Sequence, residues 1–393
     1  MGVRDGTTLN TWLTDPYPRR SFQRVREFAP TARIANDTHP PRILEHDPHE
    51  IGHVELEGMD GAAVTVADQL ARSQAEGICV LKDGRIAYER YFNGMTERTP
   101  HLLMSVSKSW CCALLGVQVG KGLVRRSDLV TDIVPDMAGT SLDGATVAHV
   151  VDMTAGTEFV EDYDLYADPD ADNPLLEYER HTSYRRLGDR EPIGALGHFR
   201  TYPTAYAHGA WFDYRSPLTN IQAHIIETVT GRRYHDVLSD ELWGPLGQEH
   251  EADIMLDPLG FPIVDGGMSC TLRDLARLGQ AYLEDGRAGD AQAIPADWVR
   301  DTREGDDECE RQFQASPTLD QPTKGDWSMY RNAFWVIRRG EVLSGLGIHG
   351  QYCYVDRPAG VVIARLSTYP LAWDEAQSAE TMRSLAAIAA YLA

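Results

Sequence analysis

Apolar and polar positions first show a strand period and then change to a helical period within the first third of the chain. The stretch GICVLKDGRIAYERYF has two apolar runs that flank Asp83-Gly84, which predicts a β-hairpin over about residues 77–92. The following stretch, HLLMSVSKSWCCALLGVQVGKG, repeats apolar residues at helical spacing from Ser105 to about Gly120. The pattern therefore predicts a hairpin followed by a helix that begins at a serine.

The middle of the chain is typical of helices joined by polar loops. The segment AVTVADQLARSQA, residues 63–75, predicts an amphipathic helix. Ser216-Pro217 is a favourable pair for the start of a helix, which we expect to run to about Thr230, before Gly231. A further helix is expected in TLRDLARLGQAYLEDG, where Asp274 and Arg277 would tie it to the body of the protein.

Residues 158–200 and the N-terminal segment lack this regularity. The first carries many Asp, Glu, Arg and Tyr without an apolar period, and we expect a long loop that covers a functional site. Residues 1–60 are rich in Pro, Arg, Asp and His, which predicts an irregular arm wrapped over a main domain of residues 61–393.

Strand patterns return near the C-terminus and set the expected fold class. NAFWVIRR, VLSGLGIHGQYCYV and GVVIARLS are β-rich runs separated by turn residues, and DEAQSAETMRSLAAIAAYLA closes the chain as a helix. The order predicts an α/β (α+β) protein in which both ends of the chain build one antiparallel sheet flanked by helices. The sheet lobe would comprise about residues 61–104 and 331–393, with a mostly helical lobe of about 105–330 inserted between.

Charge and composition narrow the classes of partner. The formal net charge of −22 argues against binding nucleic acid or an anionic membrane surface, since like charges repel. No apolar stretch approaches about 18 residues and no secretory signal precedes the domain, so a cytoplasmic location is expected. The six cysteines show no C-x-x-C pair, and neither a disulfide framework nor a metal site is predicted.

Ser105-Val106-Ser107-Lys108 is an S-x-x-K motif at the predicted helix start. Residues three apart share a helix face, so Lys108 would lie beside the Ser105 hydroxyl and could act as the base that activates it. The helix N-terminus would add positive potential and a free N–H for a developing oxyanion. The alternative interpretation is a capping serine followed by a surface lysine. Only four lysines occur in the chain, and Lys108 stands among apolar residues, which favours the catalytic interpretation.

Two later segments carry further candidate chemistry. Tyr214 stands in FDYRSPLTN directly before a predicted helix, and His349-Gly350 stands in GLGIHGQYCYV before a predicted strand. Taken singly, the first is better explained as a half-buried tyrosine at a helix entrance, and the second as a plain strand glycine beside a histidine. A literal Y-x-N at Tyr91 precedes the serine and lies at a hairpin end.

These three motifs together resemble the penicillin-recognising serine hydrolases: β-lactamases, DD-peptidases and their esterase relatives. HLLMSVSKS, GGMSCTLRDLARLG and GIHGQ are most similar to the 6-aminohexanoate-dimer (nylon oligomer) hydrolase branch. The resemblance implies a β-lactamase/transpeptidase-like fold over about residue 75 to the C-terminus and a reaction without a metal or organic cofactor.

The resemblance also implies roles for individual residues. Tyr214, in the Y-x-S variant of the second motif, would pass a proton to the leaving group. Backbone N–H groups of Ser105 and Gln351 would form the oxyanion hole. Substrate-binding candidates come from the third motif and from the acidic middle segment, and they are Ile348, His349, Gly350, Tyr163, Tyr166, Glu179 and Tyr184.

One departure from the β-lactamase pattern bears on the substrate. Ile348 stands where the K-T-G motif has its lysine, so strong turnover of penicillins is not expected. The sequence thus predicts a serine hydrolase of small esters or amides, and leaves the oligomeric state open, a homodimer included. The alternatives are an acyltransferase using the same acyl-enzyme, a weak β-lactamase or DD-peptidase, and a non-catalytic binding protein on this fold.

Overall fold

Seven strands build the main sheet of the computed structural model, which describes residues 6–163, 166, 168 and 171–393. Their order is β11-β12-β13-β14-β15-β4-β5, with every neighbouring pair antiparallel. One pairing joins β4 from the first quarter of the chain to β15 near its end, so both ends of the chain build this sheet as predicted. The strands are β1 Thr31–Ile34, β2 Glu55–Glu57, β3 Ala63–Thr65, β4 Ala75–Lys82, β5 Arg85–Tyr91, β6 His101–Leu102, β7 Ala252–Met255, β8 Met268–Cys270, β9 Arg287–Ala288, β10 Ala291–Gln292, β11 Met329–Arg331, β12 Phe334–Arg338, β13 Val342–Gly347, β14 Gln351–Asp356 and β15 Val361–Ser367.

Helices cover the sheet and form the inserted lobe. They are α1 Pro18–Ser21, α2 Val66–Arg72, α3 Val106–Gly120, α4 Val130–Ile133, α5 Val147–Val151, α6 Pro174–His181, α7 Gly194–Phe199, α8 Pro217–Thr230, α9 Tyr234–Leu238, α10 Leu272–Leu283, α11 Ala296–Glu304, α12 Asp307–Gln314, α13 Gln321–Asp326 and α14 Glu375–Leu392. A four-stranded sheet in the order β1-β7-β8-β6 lies beside them.

Side chains alternate between the two faces of the main sheet, as the strand period requires. On one face, Cys79, Cys353 and Ala364 belong to the core that includes α3, α8 and α10. On the other face, Val80 and Ile363 belong to a smaller core closed by α14 and α2. Both faces of the sheet are therefore buried.

Several local predictions are confirmed, and two are wrong. The hairpin, α3, α8 and α10 lie where the pattern places them, and α8 ends at Gly231 with a left-handed φ of 64°. Residues 63–65 are not helical: they form β3 against β2, and Thr65 then caps α2. The segment 158–200 is not a structureless loop, since it contains α6 and α7, whose short apolar stripes were too brief to show a period.

The N-terminal arm adds backbone pairing to both sheets. Its strand β1 pairs with β7, and residues 46–49 run along the outer edge of β5, where the Asp47 and His49 N–H groups donate to β5 carbonyls. Such pairing protects an edge strand that would otherwise present unpaired backbone groups. Arg277 of α10 also donates to the carbonyl of Arg42 at 2.6 Å, so α10 and the arm hold each other.

Close packing between α10 and the main sheet depends on Gly279. A Cβ placed there would lie 2.5 Å from Val362 Cγ1 and 3.1 Å from Cys353 Sγ, both buried in the sheet. We predict that Gly279→Ala lowers the free energy of unfolding by about 1–3 kcal/mol, because overpacking outweighs the better helix propensity. Thermal and denaturant unfolding would measure it.

Gly325→Ala is the matched control, because Gly325 lies in α13 with no atom within 4 Å of an added Cβ. The control should be neutral or stabilised by about 0.4–1 kcal/mol. Equal effects of the two substitutions would contradict the packing argument.

Candidate active site

Ser105 lies on a tight turn between β6 and α3. Met104, directly before it, has a φ of 46°, a left-handed value that is costly for a residue with a side chain. Ser105 occupies the N-cap position of α3, yet its side chain makes no capping hydrogen bond. The residue is partly exposed and lines a cleft, and its hydroxyl is not engaged in capping the helix.

Lys108 is a titratable group in direct contact with Ser105. Its side chain is only 1% exposed, its Nζ donates to Ser105 Oγ at 2.8 Å, and it also donates to the main-chain carbonyl of Asp265 at 2.5 Å. The same Nζ lies 5.1 Å from the centroid of the Tyr214 ring, within the range of a cation–π contact. The predicted surface-lysine alternative for the S-x-x-K motif is thereby excluded.

Two opposing effects act on the pKa of Lys108. Burial lowers it, because the ammonium loses its water shell, but the negative charges of an ionised Tyr214 and of the Asp265 and Glu161 carboxylates raise it more. The net shift is upward. The resting lysine is therefore an ammonium that donates to Ser105, rather than the uncharged amine that a base requires.

Tyr214 completes the group from the loop that precedes α8. Its ring stacks on Trp335 with centroids 5.7 Å apart and meets Tyr330 edge-on, which fixes its orientation. Burial raises the pKa of its phenol, while the Lys108 charge and side-chain hydrogen bonds with Ser105 and Lys108 act in the opposite direction. Ser105, Lys108 and Tyr214 thus form one cluster, joined by the Lys108–Ser105 hydrogen bond and by the contact of Lys108 with the Tyr214 ring.

Asp265 supports the cluster from below and was not predicted from the sequence. Its carboxylate accepts from the Tyr178 hydroxyl at 2.6 Å, and the Val264 N–H next to it donates to Asn220 of α8 at 3.0 Å. Burial raises the pKa of Asp265 to about 6, and the Lys108 charge opposes this rise. Above that pH the carboxylate is a fixed negative charge beside the lysine.

Glu161 is a second carboxylate that sequence reasoning missed. It accepts from the backbone N–H and the hydroxyl of Ser216, both at 2.7 Å, and from the Tyr163 hydroxyl at 2.7 Å. Ser216 was expected to cap α8 with its own side chain, but that side chain makes no capping bond. The carboxylate of Glu161 instead lies at the N-terminus of α8, where a negative charge is favourable.

A cleft opens above Ser105 between the nucleophile turn, the acidic middle segment and the turn after β13. It is lined by Met104, Ser105, Glu161, Tyr163, Leu175, Tyr178, Tyr184, Ser216, Asp265, Gly266 and Ile348. Among the residues that the structure describes, no group of three or more His, Cys, Asp or Glu is placed to hold a metal ion. The chemistry available in this cleft is that of a buried amine, a phenol, a hydroxyl and two carboxylates.

The turn after β13 meets the nucleophile turn through a glycine. A Cβ on Gly347 would lie 2.6 Å from the Leu103 carbonyl and 3.1 Å from Met104 Cβ, so only glycine allows this approach. Ile348 follows and lines the cleft. Within the described residues, the backbone N–H groups of Ser105 and Ile348 have no hydrogen-bond acceptor.

This geometry bears on Gln351, the predicted second oxyanion donor. Its backbone N–H was predicted to be the donor, but Gln351 is fully buried at the start of β14, where it pairs with Gly347 of β13. Gln351 is not among the described residues that line the cleft, because the three-residue turn 348–350 separates it from Ser105. Ile348 is the residue of this segment that faces the nucleophile.

The other predicted substrate-binding residues fall into two groups. Tyr163 and Tyr184 line the cleft. Glu179 lies outside the lining in a buried ion pair with Arg185 at 2.6 Å, and Tyr166 donates to the same carboxylate at 2.6 Å. This second group stiffens the wall behind the cleft.

His349 and Gly350 also lie behind the cleft surface. His349 Nδ1 lies 2.7 Å from the Tyr369 carbonyl and must carry the proton, since a carbonyl only accepts. A Cβ on Gly350 would lie 2.4 Å from the Tyr369 ring, so the third motif is packed against the segment after β15.

A signal for the missed carboxylates existed in the sequence. Asp265 directly precedes the stretch GGMSCTLRDLARLG, whose helix was interpreted as structural. Glu161 lies in the acidic segment 158–200, which was expected to cover a functional site. Their contacts with Lys108 and Ser216 join positions far apart in the chain, which local patterns do not show.

Comparison with known proteins places this site in a family. The β-lactamase family model matches residues 60–387. A 6-aminohexanoate-dimer hydrolase from Paenarthrobacter ureafaciens is 32% identical over 367 residues, covering 92% of this chain and 88% of the relative.

Solved structures show the same fold. A Bacillus anthracis protein described as a candidate 6-aminohexanoate-dimer hydrolase superposes with a TM-score of 0.88 at 21% identity, covering 100% of this chain and 98% of that chain. A family VIII carboxylesterase superposes with a TM-score of 0.60 at 16% identity, covering 84% and 96%. No helix among the described residues is long and apolar enough to cross a membrane. The chain is thus a hydrolase with the β-lactamase/transpeptidase-like fold, and it belongs to the β-lactamase family, in which it is related to the 6-aminohexanoate-dimer hydrolases.

Proposed function

We propose that this protein cleaves small esters or amides through an acyl-enzyme formed on Ser105. The observation that carries this proposal is the 2.8 Å contact between Lys108 Nζ and Ser105 Oγ, beside Tyr214 in an open cleft. A positioned nucleophile, a base within hydrogen-bonding reach and a proton donor for the leaving group are the parts that acyl transfer requires.

Acylation begins when the Lys108–Tyr214 pair has lost one proton. The Ser105 hydroxyl gives its proton to this pair while Oγ bonds to the substrate carbonyl carbon, and the carbonyl electrons move onto oxygen. The free N–H groups of Ser105 and Ile348 stabilise that oxyanion. Collapse of the intermediate breaks the bond to the leaving group, which takes its proton from Tyr214.

Deacylation repeats these steps with water in place of serine. Water gives a proton to the same pair as it attacks the acyl carbon, and Ser105 takes the proton back when the ester bond breaks. Because acidic neighbours raise the pKa of Lys108, little of the lysine is the uncharged amine that can accept a proton at neutral pH. Activity should accordingly increase into the alkaline range.

The charge of the cleft favours substrates with a free amine. Glu161 and Asp265 both line it, no Lys or Arg is among the described lining residues, and the buried Lys108 contacts Ser105 from outside that lining. Ile348 stands where the K-T-G motif of β-lactamases has a lysine, and that lysine would attract a substrate carboxylate. These features, together with the similarity to the Paenarthrobacter 6-aminohexanoate-dimer hydrolase, support short linear amides that carry an ammonium group.

The loss of kcat on removing the Tyr214 hydroxyl should depend on the leaving group of the substrate. We predict that Tyr214→Phe lowers kcat for an alkyl amide by about 10²–10⁴, and much less for a p-nitrophenyl ester, whose leaving group needs no proton. Ser105→Ala should remove turnover of both substrates, by on the order of 10⁴ or more. Steady-state kinetics on both substrates measure this.

Tyr391→Phe, on the exposed end of α14, is the control and should match the wild type. Turnover that survives in Ser105→Ala, or an equal loss on both substrates in Tyr214→Phe, would count against these roles.

Removing the Asp265 charge should shift the pH profile. Asp265 raises the pKa of Lys108, so Asp265→Asn is expected to lower that pKa and move the acid limb of kcat/KM to lower pH. The shift applies above pH about 6, where Asp265 is ionised. The pH dependence of fluorophosphonate labelling at Ser105 measures the same limb without substrate binding.

Asp290→Asn, at an exposed position between β9 and β10, is the matched control. An acid limb that stays in place or moves to higher pH in Asp265→Asn would refute the electrostatic assignment.

The preference for an amine can be tested with a substrate pair. The 6-aminohexanoate dimer should be cleaved faster than its N-acetyl derivative, and Glu161→Gln should reduce this preference by about tenfold, equivalent to about 1.4 kcal/mol. Gln can still accept from Ser216, so α8 keeps its cap. Glu158→Gln, an exposed neighbour, is the control. Equal turnover of the two substrates by the wild type would exclude ammonium recognition.

A further inference from the structure

Two buried aromatic residues of the N-terminal arm contact the active site from behind. Trp12 and Phe22 are fully buried, and together they form what we call the aromatic wedge. The family match begins at residue 60, so the wedge lies outside it. We propose that the wedge positions three parts of the site for the reaction on Ser105: the nucleophile itself, the turn of residues 348–350 (the oxyanion turn), and Tyr184 in the cleft wall. This inference rests on the function proposed above.

Trp12 holds the cleft wall. Its indole Nε1 donates to the Tyr184 carbonyl at 2.6 Å, and its ring stacks on the Tyr184 ring with centroids 6.4 Å apart and planes 19° apart. Tyr184 lines the cleft, and its hydroxyl reaches the Asp265 carboxylate at 3.4 Å. A shift of Trp12 would therefore move Tyr184, whose hydroxyl contacts the Asp265 carboxylate. That carboxylate in turn raises the pKa of Lys108.

Phe22 holds the strand that leads to the nucleophile. Its carbonyl accepts from the Leu102 N–H at 2.8 Å, and its ring meets His101 edge-on with centroids 5.7 Å apart. His101–Leu102 is β6, and Ser105 follows after the left-handed turn at Met104. The position of Ser105 thus depends on a pairing that the arm supplies.

The same Phe22 ring supports the oxyanion turn. It meets the His349 ring edge-on with centroids 5.3 Å apart. His349 is held further by its N–H, which donates to the Ala372 carbonyl at 2.9 Å, and by its Nδ1 contact with Tyr369. Ile348, whose N–H points to no acceptor among the described residues, directly precedes it.

The wedge is itself rigid. The Trp12 and Phe22 rings contact each other edge-on at 6.5 Å, and Ser21 Oγ donates to the Trp12 carbonyl at 2.5 Å. One unit therefore contacts three separate parts of the site. Misplacement of reacting groups by about 1 Å can cost on the order of 10²-fold in rate, so loosening the wedge should slow chemistry more than it weakens substrate binding.

The test uses the full-length chain with Trp12→Phe, Phe22→Leu and the control Trp243→Phe. Trp12→Phe removes the indole donor to Tyr184 and keeps an aromatic ring. Trp243→Phe makes the same chemical change, because the buried Trp243 indole donates to the His250 carbonyl at 2.9 Å, outside the cleft lining. Each variant is assayed for fluorophosphonate labelling of Ser105, for kcat and KM separately, and for thermal unfolding.

We expect Trp12→Phe and Phe22→Leu to lower kcat and the labelling rate by about 10- to 100-fold with KM changed less than about threefold. Trp243→Phe should keep wild-type rates at a similar loss of thermal stability. Rates in the arm variants that equal those of the control would overturn the proposal, and if one arm variant fails to fold, the other decides. Failure of the wild type to label at Ser105 would instead refute the proposed function itself.

Discussion

A buried ammonium group is the constraint on which the site depends. Lys108 is almost wholly removed from water, and a charge in that position is tolerated only where hydrogen bonds and opposite charge replace the lost solvent. The Ser105 hydroxyl, the Asp265 carbonyl and the Tyr214 ring supply that replacement. The groups that stabilise the charge are also the groups that the reaction uses, so folding and catalysis require the same arrangement.

The fold brings these groups together from distant parts of the chain. The main sheet and α3 fix Ser105 and Lys108 on one side, and the loop that precedes α8 places Tyr214 on the other. Gly347 lets the end of β13 approach the nucleophile turn, which places Ile348 at the cleft. The arm then packs against this assembly from behind, where the family match does not extend.

Local patterns allowed much of the fold and the nucleophile to be predicted. The hairpin at Asp83-Gly84, the helix after Ser105 and the helix before Gly231 are encoded in adjacent residues, and each was predicted near its actual bounds. Asp265 and Glu161 were missed, because their importance lies in contacts with residues far away in sequence. The burial of Gln351 away from the cleft was not foreseen, because the sequence motif does not show which backbone N–H groups lack an acceptor.

The pairing between β4 and β15 affects how the chain can fold during synthesis. Lys82 of β4 pairs with Val361 of β15, so β4 leaves the ribosome long before its partner strand β15 has been synthesised. Until then, a strand buried on both faces in the finished protein has only its hairpin neighbour β5 to cover one edge. Long-range pairing of this kind is slow and leaves an aggregation-prone edge in incomplete chains. Truncated products are therefore the species that would need chaperone protection in the cell.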